Sequence, residues 1–287
     1  MVPELREMVK GLSDEILTLA GNEVRVLYEE RAQGLAEKTG ADLGEIYRVA
    51  LMNDIIPYRY IRNGGIISCK DQLRLAESTV AVVGAGGLGG QVIVLLARTG
   101  IGRLMVIDID KFDESNLNRQ ALCTTPGLGK PKALEAAQKI WEINPAVEVL
   151  AHETRLTSAN AESLLGGAEV VVDALDSVPD RFVIERAAKQ LGIPMVHAGI
   201  AGFEGQLMTI YPEDPGLVLV YGDPAEWNKA RRTPEMVLGV PAVTAALVAT
   251  LQAMEVLKIL LGKGEPMRNR LLRTDLETGE FHQVMFA

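Results

Sequence analysis

Short, uninterrupted apolar runs alternate along the chain with stretches in which apolar residues return every third or fourth position. The runs lie in "TVAVVGAG" from Thr79, "RLMVIDID" from Arg103, "VEVLAHE" from Val147, "EVVVDALD" from Glu169 and "PMVHAG" from Pro194. Between them, "LGGQVIVLLARTG", "KALEAAQKIWEIN", "AESLLGG" and "DRFVIERAAKQLG" carry the helical period. Strand and helix in alternation with short connections predict an α/β fold, a mainly parallel sheet covered on both faces. "GQLMTIYP" from Gly205 reads as one more strand, followed by an irregular, Pro-rich crossover to about Pro234 and a long helix after Gly239. At the C-terminus, Asp275-Leu276-Glu277-Thr278-Gly279 is a turn between two strands, giving an antiparallel extension. Residues 1–55 read as short helices, through "VRVLYEERAQGLAEKTG" and, with Asp42 and Glu45 as a capping pair, "LGEIYRVALMND". The expected division is a helical N-terminal appendage over 1–55 and one larger domain over 56–287.

The apolar stretch from Val237 to Leu261 raises the question of a membrane span. Gln252, Glu255 and Lys258 recur there at helical spacing as one polar stripe, and the uninterrupted apolar part is short for a bilayer. The expectation is a buried amphipathic helix and no membrane. Composition narrows the rest: 48% of the 287 residues are hydrophobic, enough for a sizeable core, and a formal net charge of −9 argues against general nucleic-acid binding. Cys69 and Cys123 are too few for a disulfide framework or a four-cysteine zinc site, which fits a reducing, cytoplasmic setting. No basic stretch followed by an apolar run marks a signal peptide.

The chemistry gathers at the ends of the apolar runs. Gly84-Ala85-Gly86-Gly87-Leu88-Gly89 joins the first run to a helix, where glycines permit a sharp turn and a close approach to a nucleotide. Asp108 ends the next run, where a carboxylate accepts hydrogen bonds from ribose hydroxyls. Together these make the fold Rossmann-like and doubly wound, and they fit an NAD-dependent oxidoreductase as well as an ATP enzyme. A string of polar and cationic residues then follows: Asp110, Asn116, Arg119, Gln120 and Lys132. Hydride transfer needs no cation clamp at this place, whereas nucleotidyl transfer does, because charge develops on the α-phosphate and the departing pyrophosphate. Arg119 and Lys132 are the candidates, against the alternative of solvated surface charges. Asp176, at the end of "VVVDALD" and further out of the sheet than Asp173, is placed to hold Mg²⁺ or else to cap the helix that begins near Pro179. Cys123 reads as an apolar filler, His197 as a satisfied core histidine, and Arg231-Arg232 as a solvated pair in the crossover.

Six motifs, "RYIRN", "VVGAGGLGG", "DIDKFDESNLNRQ", "GKPKA", "VVDALDS" and "LQAMEVLKILLG", stand in the order and spacing of the MoeB/ThiF/HesA family, within the ubiquitin-activating-enzyme superfamily. The chain resembles that family from about Arg59 to its C-terminus. The resemblance implies an ATP-dependent adenylyltransferase: Asp108 on the ribose, Asn116, Arg119, Gln120 and Lys132 around the triphosphate, and Asp176 on Mg²⁺. It implies that Arg62 reaches into a neighbouring subunit's site, hence a homodimer. The implied substrate is the Gly-Gly tail of a MoaD- or ThiS-like sulfur carrier, activated as an acyl-adenylate with release of pyrophosphate, with a sulfur donor or sulfurtransferase acting afterwards in molybdenum- or tungsten-pterin or thiamine synthesis. A tRNA-modifying dehydratase of the same superfamily is an alternative. Many members carry two Cys-x-x-Cys pairs for structural zinc, but "YPEDPGLVLVYGDP" and "RRTPEMVLGVPA" contain no cysteine. The expectation is therefore no zinc, and chemistry that ends at the adenylate because the crossover lacks a cysteine.

Overall fold

A computed structural model describes residues 2–227 and 234–286. The N-terminal region opens with helix α1 (Val2–Leu12), strands β1 (Asp14–Leu17) and β2 (Glu23–Leu27), helices α2 (Glu29–Thr39) and α3 (Leu43–Leu51), and strand β3 (Ile55–Pro57). Three helices form as expected, but "EVRVL" within the expected helical stretch is strand. Val24 and Val26 alternate with polar residues, which suits a half-buried strand, and Gly21 at φ 80° turns the chain between β1 and β2. The sheet runs β1-β2-β3, antiparallel then parallel. Leu5, Val9, Leu27, Ile46, Tyr47 and Ile55 pack into a core of their own. Asp42 caps α3 by accepting from the Glu45 N–H at 2.6 Å, which bears out that capping pair.

The main body follows. Helix α4 (Cys69–Glu77) leads to β4 (Thr79–Val83), α5 (Gly87–Thr99), β5 (Arg103–Ile107), α6 (Lys132–Ile143), β6 (Glu148–His152), α7 (Ala161–Leu165), β7 (Val170–Asp173), α8 (Val178–Leu191) and β8 (Met195–Ala201). Then come β9 (Glu204–Ile210), α9 (Val218–Tyr221), α10 (Pro234–Leu238), α11 (Ala242–Leu261), β10 (Arg270–Asp275) and β11 (Glu280–Met285). The eight-stranded sheet has the order β11-β10-β9-β8-β7-β4-β5-β6. β6, β5, β4, β7 and β8 are parallel, and β9, β10 and β11 extend the sheet antiparallel. All five residues of β4 are buried, as a central strand covered on both faces requires. Separate apolar clusters fill the two faces, one under α5, α6 and α11 and the other under α7 and α8.

The long apolar helix α11 is, at 20 residues, long and apolar enough by length and composition to cross a membrane. It lies instead against the sheet, with its polar stripe turned inward. Gln252 Nε2 donates to the carbonyls of Asp173 (2.8 Å) and Val196 (3.2 Å), and Glu255 accepts from Thr209 Oγ1 and the Met267 N–H, both at 2.6 Å. The stripe satisfies buried backbone and side-chain groups that would otherwise cost free energy.

The sheet order reverses between β4 and β7: the chain proceeds from β4 outward to β5 and β6, then returns past β4 to β7 and β8. At such a switch point the loops leaving the carboxyl ends of adjacent strands diverge, and a crevice opens between them.

Candidate active site

The crevice at the switch point encloses about 500 Å³. Gly84, Gly86, Gly87, Leu88, Asp108, Asp110, Arg119, Gln120, Lys132 and Asp176 all line it. Two glycines are dictated by geometry. Gly84 sits at φ 96°, and a Cβ there would lie 2.6 Å from the Ala174 carbonyl oxygen; a Cβ at Gly89 would lie 1.8 Å from the Gly84 carbonyl oxygen. Gly89 thus brings α5 against the turn rather than lining the crevice. No side chain caps α5 at Gly86, so its first N–H groups face the opening and favour an anion.

Asp108 stands at the end of β5. Its Oδ2 accepts from the Ala85 N–H (2.7 Å) and its Oδ1 from the Asp110 N–H (2.8 Å), which fixes the carboxylate between the glycine turn and its own loop. Each oxygen keeps a lone pair for a further donor. Burial pushes this carboxyl up, opposed by those two N–H groups and by Lys132.

The cations come from the loop after β5. Lys132, only 7% exposed, is the first residue of α6, and its Nζ meets Asp110 Oδ2 at 3.2 Å. The Arg119 stem lies over Gly87, whose absent Cβ would be 3.9 Å from Arg119 Cγ, and Nη1 donates to the Ser115 carbonyl (2.7 Å) and Asn118 Oδ1 (3.0 Å). Gln120 is 7% exposed, and its Oε1 has no hydrogen-bond partner among the described residues. A buried, unpaired amide oxygen costs on the order of 1–3 kcal/mol, a cost that a ligand donor removes.

Asp176 is exposed in the crevice wall, and its carboxylate makes no hydrogen bond or ion pair among the described residues. It is not a helix cap: α8 begins at Val178 with Ser177 at the cap position. Two expected residues stand apart. Asn116 is buried, its Oδ1 accepting from the Asp113 N–H (3.1 Å) in the capping box of the short helix Glu114–Asn116, so it shapes the loop and does not line the crevice. Arg62 is exposed on the short helix Tyr58–Asn63, outside its own chain's crevice. Cys123 is buried, and burial pushes its thiol up, the reverse of an activated nucleophile. His197 is fully buried against Asp173. Arg231 and Arg232 lie outside the described residues. Among the described residues no group of three or more His, Cys, Asp or Glu is placed to hold a metal ion.

Sequence reasoning missed the rest of the lining. Thr154, Arg155 and Leu156 follow β6, Asp180 and Arg181 lie on the first turn of α8, and Glu235, Met236 and Val240 come from the far side of the crossover. Arg155 and Asp180 are paired at 2.5 Å. The position just beyond a strand's carboxyl end was the available signal for 154–156; nothing local marked 235–240.

The ThiF family profile matches residues 60–287. The sulfur carrier protein adenylyltransferase of Thermus thermophilus is 39% identical over 219 residues, covering 74% of this chain and 80% of that protein. The SAMP-activating enzyme E1 of Haloferax volcanii is 38% identical over 216 residues, covering 75% of this chain and 79% of that protein. In structure, Escherichia coli MccB superposes with a TM-score of 0.68 at 20% identity, covering 89% of this chain and 80% of that chain, a likeness of fold. With a matched segment that runs through the glycine turn, the cation loop and the C-terminal strands, the chain belongs to the ThiF family, the MoeB/ThiF/HesA group of the ubiquitin-activating superfamily.

Proposed function

We propose that this enzyme adenylates the C-terminal glycine carboxylate of a ubiquitin-like sulfur carrier of the MoaD or ThiS kind, using ATP. The observation that carries the reading is the meeting, in one crevice, of an uncapped helix N-terminus, the Asp108 carboxylate, and the cations Arg119 and Lys132. A ribose seats on Asp108, and the triphosphate runs along the N-terminus of α5 toward the cations. The carrier's carboxylate oxygen attacks the α-phosphorus as the bond to the bridging oxygen breaks, and pyrophosphate departs with that electron pair. Arg119 and Lys132 offset the negative charge that grows on the phosphate oxygens; Lys132, freed from Asp110, has a preset direction because its backbone N–H is held by the Asp110 carbonyl at 2.9 Å. Asp176 would hold Mg²⁺, its exposed, unpaired carboxylate offering a hard oxygen donor. When bound there, the ion supplies further charge neutralisation across the phosphates.

The reading includes a homodimer in a reducing cytoplasm. Arg62, exposed and remote from its own crevice, contributes to the chemistry through a second copy. Residues 56–287 form the adenylating unit and 1–55 an appendage. The product on this protein is the adenylate, and a separate sulfur donor completes the thiocarboxylate. Carrier-dependent ATP–pyrophosphate exchange tests the reading. Exchange is expected with a MoaD- or ThiS-like carrier and lost when its terminal glycine is removed; exchange without any carrier, or none with any carrier, would contradict it. Protection of the fold by NAD and not by ATP would favour an oxidoreductase instead.

A further inference from the structure

Beside and behind Asp176 lies a group of polar side chains, of which Arg181 also borders the crevice. Asp173 and His197 are wholly buried, Arg181 is 4% exposed, and Tyr221 comes from α9 on the crossover. They close a ring of hydrogen bonds around one residue, Leu175. The Leu175 N–H donates to Asp173 Oδ1 at 3.1 Å. Asp173 Oδ2 meets His197 Nδ1 at 2.7 Å, and His197 Nε2 meets the Tyr221 hydroxyl at 3.2 Å. Arg181 Nη1 donates to the Tyr221 hydroxyl and Arg181 Nη2 to the Leu175 carbonyl, each at 2.5 Å. Gln206 Nε2 adds a second donor to the same hydroxyl at 2.7 Å.

The directions of these bonds follow from valence. A carboxylate only accepts, so His197 carries its proton on Nδ1 and leaves Nε2 as an acceptor. Tyr221 then donates its hydroxyl proton to Nε2 and accepts from Arg181 and Gln206, using its one donor and both lone pairs. Burial holds the His197 imidazole low in pKa, in keeping with a neutral ring. The ring's charges are one carboxylate and one guanidinium, with Arg181 Nε 3.9 Å from Asp173 Oδ2. Leu175 is gripped at both its N–H and its carbonyl, and the next residue is Asp176.

We propose that Tyr221 and Arg181 are positioning residues for the phosphate side of the site: the ring they close fixes the Leu175–Asp176 peptide and aims the Asp176 carboxylate into the crevice. The inference rests on the adenylation reading, which supplies the magnesium role of Asp176. It adds a link between the crossover and the metal-binding wall. Trp227, further along the crossover, donates from Nε1 to the Tyr221 carbonyl at 2.7 Å and stands edge-on to the Tyr221 ring, so the crossover is tied to the ring at two residues.

Removal of the hydroxyl in Tyr221→Phe leaves Arg181 Nη1 and Gln206 Nε2 without that acceptor and His197 Nε2 without its donor. The peptide that bears Asp176 then keeps only part of its support, and losing the hydrogen bonds that hold a metal ligand in place weakens metal binding on the order of 10–100-fold. The test is calorimetric titration of Mg²⁺ into protein already carrying a non-hydrolysable ATP analogue, alongside the analogue's affinity in the presence of a chelator. For Tyr221→Phe the expected result is a metal affinity lowered on the order of 10–100-fold with metal-free nucleotide affinity within about twofold. Gln206→Leu removes a donor outside the ring and is expected to change metal affinity by no more than about twofold. Should Tyr221→Phe not fold, Arg181→Lys carries the same expectation, since an ammonium keeps the charge but cannot span the Tyr221 hydroxyl and the Leu175 carbonyl together. Unchanged metal affinity in the ring variant, or an equal loss in Gln206→Leu, would overturn the positioning role alone. Absence of any magnesium-dependent binding in the wild-type protein would overturn the adenylation reading and the positioning role with it.

Discussion

The wall of the crevice built from residues 84–132 is open and turned toward a ligand, whereas the wall built from 173–221 is sealed and hydrogen-bonded within itself. On the first wall, Asp110 is well exposed, Arg119 rests on loop acceptors, and Gln120 keeps an unpaired oxygen. On the second, Asp173, His197, Tyr221 and Arg181 bond to one another, with Arg181 Nε left without a hydrogen-bond partner among the described residues, and Asp176 stands exposed in the crevice wall. The first wall has bonds still to make; the second holds its shape without a ligand. That division suits a reaction in which charge moves: groups that meet the phosphates stay available, and the scaffold that aims Asp176 needs no reorganisation when they arrive.

The comparison can be broken from either side. The largest effect is expected from Arg119→Ala and Asp176→Ala, which should lower carrier-dependent pyrophosphate exchange by at least about 10²-fold. Thermal unfolding should change little for either, because both side chains are partly or fully exposed. Activity near wild type in Arg119→Ala would remove the open wall from the chemistry. Next is Gly89→Ala, whose methyl would meet the Gly84 carbonyl oxygen; a loss of about 3 kcal/mol or more in denaturant unfolding is expected, with nucleotide binding falling too. Smaller is Asp71→Asn, far from the crevice. Hydrogen bonds from Lys263 Nζ (2.5 Å) and Ser68 hold the Asp71 carboxyl down to about 2, so its stabilisation is present above the ordinary carboxylate range and disappears as pH falls toward 2. The variant should unfold about 1–2 °C lower at pH 7 and match the wild type near pH 2. Least of all, Cys123→Ala should leave exchange intact, since a buried thiol with its pKa pushed up takes no part before a thioester stage; loss of exchange in a well-folded variant would contradict this.

The two walls were also unequally legible in the sequence. Glycine turn, Asp108, Asp110, Arg119, Gln120 and Lys132 fall within 49 consecutive positions, each placed by the strand or helix beside it, so spacing alone brought them together. The sealed wall depends on partners far apart in the chain: His197 lies 24 residues from Asp173, and Tyr221 lies 40 from Arg181. No local period marks such pairs, and His197 read only as a satisfied core histidine. Asn116 fits the cation string in sequence, yet its amide is consumed by a capping box. Near the N-terminus, apolar residues three and four apart in "VRVLYEERAQGL" suggested helix; the two-residue alternation of Val24 and Val26 proved decisive over β2. In α11 the polar stripe was visible, but its inward direction depends on carbonyls of β7 and β8 that only the folded sheet presents.

The central claim is that the switch-point crevice seats a triphosphate between the N-terminus of α5 and the cations of the following loop. A crystal structure with a non-hydrolysable ATP analogue and Mg²⁺ tests it most directly. The expected density has the ribose on Asp108, phosphates within hydrogen-bond reach of Arg119 and Lys132, and an ion beside Asp176. A nucleotide bound elsewhere, or phosphates facing away from both cations, would contradict it.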